Sequence, residues 1–410
     1  MDLKSSHPFW SVNSGLLRTW PALRGDARGD VVIVGAGITG ALMADKLSAA
    51  GMKVIVLDSR DAGHGSTSAS TALLQYEIDT PLTELISLYG REKAEKAYRA
   101  CWQSIDTLER IVRSFGDDDC GFSRRSSVYL ASKAADLIDL EREWKACRAA
   151  GFNVSWWDAG KIERNFSFGR PAALVSSQGA QVDAYRLTQR LLARAARRGA
   201  GIYDRTAVTE FHFTRRGVKF LTDRGGSVTA GHAVMATGYE TQHFLPRDIV
   251  KLHSSFAFVT EPLDSFSGWW RRCLLWETAR PYFYLRTTSD GRALVGGEDE
   301  PFRNPEKRDA LIARKTASLA RKFAGLFPGI PFEPAWAWAG TFGETADGLA
   351  YIGTLPKFPR CHFALGFGGN GITFSVTAAV MVRDALLGRK HECADVFHFG
   401  RKPPGRRPAR

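Results

Sequence analysis

No uninterrupted apolar stretch in the 410 residues reaches the roughly 18 that a membrane-spanning helix requires. The longest candidate, Val31 to Ala44, is broken by glycines. Met1 to Trp20 holds Lys4 but no apolar signal core, so secretion is not expected and the reading is cytoplasmic. The six cysteines (Cys101, Cys120, Cys147, Cys273, Cys361, Cys393) are scattered and form no C-x-x-C pair. That spacing indicates neither a metal site nor a disulfide frame, and reduced thiols are expected. No internal repeat is visible. Acidic residues are in deficit: 43 against 56 Lys and Arg, a net charge of +13. Such an excess suits nucleic acid, anionic surfaces or acidic substrates. A plainer home lies in Arg190, Arg194, Arg197 and Arg198, at helical spacing as a solvated face with Leu187, Leu191 and Leu192 inward. The stretch Arg401–Arg410, with five cations and three prolines, reads as a loose tail.

What remains is ordinary globular material, 44% hydrophobic and 24% charged, long enough for about two to three domains. Its most informative segment is a strand, Asp30 to Val34, that runs into Gly35-Ala36-Gly37-Ile38-Thr39-Gly40 and is followed by a second strand, Lys53 to Asp58. This is the G-x-G-x-x-G turn of a dinucleotide-binding βαβ unit. Gly35 permits a tight exit from the strand, Gly37 a close approach to a pyrophosphate, and Gly40 close packing of helix on sheet. Asp58, roughly 20 residues beyond the glycines, stands where a carboxylate holds a ribose hydroxyl, with Ser59 and Arg60 beside it.

Two further stretches have the same character. Met235-Ala236-Thr237-Gly238 reads as a buried strand ending in small residues, whose backbone can lie against a ligand. Gly366-Phe367-Gly368-Gly369-Asn370-Gly371-Ile372-Thr373 turns from a strand onto a helix start. Between them, residues 250–300 alternate in hairpin fashion with a turn at Asp290-Gly291. The expected organisation is discontinuous: 28-80, 175-248 and 340-390 form a nucleotide-type domain. Residues 81-174 and 249-339 form an inserted antiparallel-sheet domain. Residues 1-27 are an N-terminal arm and 391-410 a basic tail.

This set of segments resembles the D-amino-acid oxidase, glycine oxidase and sarcosine oxidase family of FAD-dependent oxidoreductases, over roughly residues 28 to 388. The resemblance implies an α/β fold (α+β overall): a Rossmann-like, glutathione-reductase-type FAD-binding domain with an inserted substrate domain. It places the adenosine diphosphate on Gly35, Gly37, Ile38, Thr39, Gly40 and Asp58, and adenine on the backbone of Val208. Ser66, Thr67, Ser70 and Thr71 would pass along the pyrophosphate and flavin edge. Ala236, Thr237 and Gly238 would lie on the cofactor, and Gly368, Gly369, Asn370, Gly371, Ile372 and Thr373 would cover the isoalloxazine. FAD would be non-covalent, because Ala69 stands where some members carry a linking histidine and Gly340 near where others carry a cysteine.

The implied reaction oxidises a C–N bond of an amine or amino-acid-like substrate by hydride transfer to flavin N5, with O2 or an electron carrier as acceptor. Tyr282, Tyr284 and Arg286, at alternate strand positions, share one face and are the expected substrate contacts. Glu344 is a further candidate, for a cationic amine. Phe342 stands where amino-acid-oxidising members often place a carboxylate-binding arginine. The strand Arg292 to Gly296 also lacks the lysine that sarcosine-oxidase-like members hold near the flavin. Alternatives are a flavoenzyme modifying tRNA wobble uridine, an FAD-dependent hydroxy-acid dehydrogenase, a nicotinamide dehydrogenase and a non-enzymatic flavin scaffold. No RNA module is visible, so nucleic acid is not the expected partner.

Overall fold

Val31 to Val34 form an unbroken β-branched run because both faces of the strand they end are covered. In the computed structural model, which describes residues 2–5, 7–116, 120–245 and 249–401, that strand, Ala27–Val34, is central. Its parallel neighbours are Val54–Leu57 and Ser227–Met235. The sheet continues through Gly201–Tyr203 on one side, and through Cys361–Leu365 and Tyr351–Thr354 on the other. Helices Ile38–Ala49, Ala184–Arg197 and Gly371–Leu386 pack together over one face. Arg91–Arg113, expected in the inserted domain, joins this helical layer and bonds Gly371–Leu386 through Ser104 and Thr377 at 3.1 Å.

Among the described residues a second sheet runs in the order Pro334–Thr345, Val250–Thr260, Ala293–Pro301, Phe283–Thr287, Leu274–Glu277, Ser123–Leu130, Ala172–Gln181, Leu73–Gln75. It is antiparallel as expected, except where Leu274–Glu277 pairs in parallel with Ser123–Leu130, joining the two inserted segments. Hydrogen bonding draws three stretches across the expected boundaries into this sheet. Leu73–Gln75 pairs with Gly179–Gln181, and Gly340–Thr345 pairs with Val250–Ser255.

Residues 3–5 and 9–13 near one end, and Arg401 near the other, are held more firmly than composition suggests. Helix Phe9–Asn13 buries Phe9 and Trp10, and residues 3–5 extend the second sheet through Ser5 N–H to Ala339 O (2.9 Å) and Thr341 N–H to Leu3 O (2.7 Å). The loose-tail reading fails at Arg401. That residue is buried, donates to Asp347 at 2.7 Å, and also bonds the carbonyls of Leu349, Ala350 and Val396. Residues 402–410 lie outside the described residues. The solvated-face reading fails at Arg190 and Arg194. Arg194 reaches Asp45 of the neighbouring helix at 2.6 Å, and Arg190 donates to Phe115 O at 2.9 Å. Asp45 is nearly buried and recruits Arg198 as well, at 2.8 Å. Among the described residues no helix is long and apolar enough to cross a membrane, and no group of acids, histidines and cysteines converges as a metal site.

Candidate active site

Both sheets line a cavity of about 510 Å³, a size typical of small-molecule sites. Its first wall is the glycine turn. Gly35 leaves the strand at φ +108°, and a Cβ there would lie 2.3 Å from Ala236 O. A Cβ on Gly40 would meet Gly35 O at 1.8 Å, so Gly40 sets helix against turn and does not itself line the cavity. Gly37 has an ordinary φ of −75°, and its missing side chain leaves open space bordered by Thr67 Oγ1, which accepts the Ile38 N–H at 2.9 Å. Asp58 accepts the N–H groups of Ala36 (2.7 Å) and Arg60 (2.8 Å). Burial raises its carboxyl above the usual range against the pull of those two bonds. Arg60 is paired with Glu240 at 2.9 Å.

The remaining expected cofactor residues line the same cavity: Ser59, Arg60, Ser66, Thr67, Ser70, Thr71, Val208, Ala236, Thr237, Gly238 and the turn from Gly368 to Thr373. That turn is anchored by the segment that carries Glu77 and Asp79. Gly369 N–H donates to Asp79 at 2.7 Å and Asn370 Nδ2 to Glu77 O at 2.8 Å.

At the other end the expectations divide. Tyr282 and Tyr284 line the cavity; Arg286 and Glu344 do not. Alternation along Phe283–Thr287 gives Arg286 the same face as the tyrosines, but there the strand has run beneath the N-terminal arm. Arg286 is buried under the Trp10 ring (4.9 Å) and donates to Val182 O at 3.0 Å, and burial pushes its guanidinium down to about 9. Glu344 stands two residues past Phe342, beyond the cavity, and faces His253 at 3.5 Å. Cys361 is buried in its strand, away from the lining.

Sequence reasoning missed three acids that do line this end: Glu77, Asp79 and Asp299. A signal was present for two of them. Leu74, Tyr76 and Ile78 are buried at alternate positions, so Gln75, Glu77 and Asp79 share the opposite, cavity face. Glu77 Oε2 and Asp299 Oδ1 are buried with no hydrogen-bond partner. Burial pushes the Glu77 carboxyl up to about 7 and that of Asp299 to about 6, the latter aided by neighbouring Asp79 and Glu344. Burial also holds the Tyr284 phenol at about 12, so it stays protonated, with its oxygen 3.1 Å from Ser255 Oγ. Trp276, stacked on Tyr129 at 3.7 Å, completes the wall.

The raised Glu77 carboxyl carries a stability consequence. Folded, it titrates near 7 against 4.5 for an unperturbed group, so the folded state holds the proton more tightly. Its stabilising contribution is present below about pH 4.5 and is lost as pH rises towards 7. Glu77→Gln is expected to melt roughly 2–4 °C above wild type at pH 8 and level with it at pH 4. Equal differences in thermal melts at both pH values contradict this.

This architecture has counterparts. Glycine oxidase of Bacillus licheniformis is 28% identical over 385 residues, covering 92% of this chain and 98% of that protein. The crystal structure of glycine oxidase from Geobacillus kaustophilus superposes with a TM-score of 0.74 at 23% identity, over 89% of this chain and 96% of that one. That of L-proline dehydrogenase from P. horikoshii gives 0.75 at 17% identity, over 90% and 96%. The family model DAO, FAD dependent oxidoreductase, matches residues 30–385, so this chain belongs to that family and is an FAD-dependent oxidoreductase.

Proposed function

We propose that one FAD lies lengthwise in the cavity and that the enzyme oxidises a carbon–nitrogen bond of a small amine or amino-acid-like substrate at the acidic end. The observation that carries this reading is the fit of the walls. Where a phosphate or a flat ring must touch backbone, the residues are Gly37, Gly368 and Gly369, and a Cβ on Gly369 would already lie 2.9 Å from Asp79. The N–H groups at the start of helix Ile38–Ala49 suit a pyrophosphate, and Asp58, which lines the cavity, suits ribose hydroxyls. Val208 borders the adenine end, while Ala236–Gly238 and Gly368–Thr373 flank the ring. Binding is non-covalent in this reading: Ala69 and Gly340 bring neither imidazole nor thiol to the ring, and a Cβ on Gly340 would meet Ala69 Cβ at 3.1 Å.

When bound, FAD supplies the hydride-accepting ring. The chain's own groups do the rest. Tyr284 and Tyr282 present hydroxyls that orient a substrate nitrogen. The oxygens left unpaired on Asp299 and Glu77 accept a proton from an ammonium, which must become neutral before it can be oxidised. Their raised carboxyls suit that exchange near neutral pH. Trp276, Phe342 and Trp338 exclude water. Among the described residues Arg60 is the one cation lining the cavity. The test is anaerobic mixing of the FAD-loaded protein with amines and amino acids. Loss of the yellow absorption band is expected with at least one of them; a band that persists with every nitrogen compound contradicts the reading.

A further inference from the structure

Resting on that function, we infer that the substrate is an aliphatic diamine or similar dication, with no carboxylate near the nitrogen that is oxidised. The reacting end is built for positive charge. Glu77 and Asp79 enter from one segment and Asp299 from strand Ala293–Pro301, all three lining the cavity. Glu77 and Asp299 each bond a serine, Ser127 and Ser255, and each keeps one buried oxygen, Oε2 and Oδ1, without a hydrogen-bond partner. A buried acceptor without a partner is costly, so its retention points to a ligand donor. Two such acceptors on separate segments call for two donors, as the paired ammonium groups of a diamine supply. Among the described residues these acids do not converge as a metal site.

A substrate carboxylate has no counterpart here. Arg60, the one lining cation among the described residues, sits beside Asp58 and is paired with Glu240. Arg286 is sealed under Trp10. A carboxylate would face three acids with no guanidinium to clamp it, whereas the methylenes of a diamine would lie along Trp276, Tyr282 and Phe342. Among the described residues the rival is Arg280, outside the lining, with its guanidinium 3.3 Å from the centre of the Tyr282 ring and its charge felt by Asp79 and Asp299. If it swung inward it would favour an α-amino acid.

The experiment compares 1,4-diaminobutane, butylamine, 4-aminobutanoate and glycine with the FAD-loaded protein. It records anaerobic bleaching together with equilibrium affinity from perturbation of the flavin spectrum. The diamine is expected to bind on the order of 30-fold or more tighter than butylamine, which lacks the second charge, and 4-aminobutanoate weaker than both. Asp299→Asn and Glu77→Gln should each remove most of that preference, in protein whose circular dichroism and FAD content match wild type. The wild-type ranking stands as the test if either variant misfolds. If glycine bleaches the flavin and the diamine does not, or if Arg280→Met abolishes binding of the preferred compound, this inference falls while the proposed function stands. If none of the four nor a wider amine panel bleaches FAD-loaded protein, the proposed function falls and takes this inference with it.

Discussion

Gly37→Val is expected to give a folded protein that purifies without yellow colour. The position is chosen for its conformation. At φ −75° and ψ −174° any residue is accommodated, so the backbone of the turn can persist. What changes is the space in front of it. A Cβ at Gly37 meets only Thr67 Oγ1, at 3.0 Å, and the valine methyls beyond it would stand in the cavity where the pyrophosphate must touch backbone. Affinity for FAD should fall by about 100-fold or more, the equivalent of roughly 3 kcal/mol. Gly35→Ala behaves differently. Its φ of +108° and a contact of 2.3 Å with Ala236 O break the sheet-to-helix turn itself, so folding should fail along with binding. Flavin content and near-ultraviolet circular dichroism of the two variants separate these outcomes. A yellow Gly37→Val protein would remove the cofactor from this turn.

Arg401→Met should destabilise the protein by about 3–5 kcal/mol, the usual consequence of leaving a buried charge without its partner. The pair is almost sealed, with side chains 4% and 0% exposed and a 2.7 Å contact to Asp347. Asp347 also receives the Tyr89 hydroxyl at 2.6 Å and the Leu349 N–H at 3.1 Å, so it organises the turn that follows strand Pro334–Thr345. That strand supplies Gly340 to Phe342 to the cavity. A melting temperature lowered by roughly 5–10 °C and faster release of FAD are therefore expected together. Adding Asp347→Asn to Arg401→Met should recover much of the loss, because the stranded charge disappears. Wild-type melting in Arg401→Met would show that the anchor contributes nothing.

These two residues mark what could and could not be seen from the chain. Gly35, Gly37 and Gly40 are legible because the geometry of a strand–turn–helix is local, and residue spacing states it directly. Asp58 follows from the same unit. Tyr282 and Tyr284 were legible through strand alternation, but alternation names a face and not what covers it. Arg286 shares their face and is lost to the site because Trp10 arrives from the N-terminal arm. Glu344 is lost for a different reason, lying past the end of the cavity along its strand. Asp79 and Asp299 are far apart in sequence and meet only as linings of one cavity. Arg401 looked like part of a disordered basic tail because its partner, Asp347, is remote in sequence.

The central claim is that stretches far apart in the chain grip a single FAD. Amide hydrogen exchange on the apoprotein with and without added FAD tests it most directly. Simultaneous slowing at residues 35–40, 58–60, 66–71, 236–238 and 368–373 is predicted. Slowing confined to the first glycine turn, with the 236–238 and 368–373 segments unchanged, would contradict it.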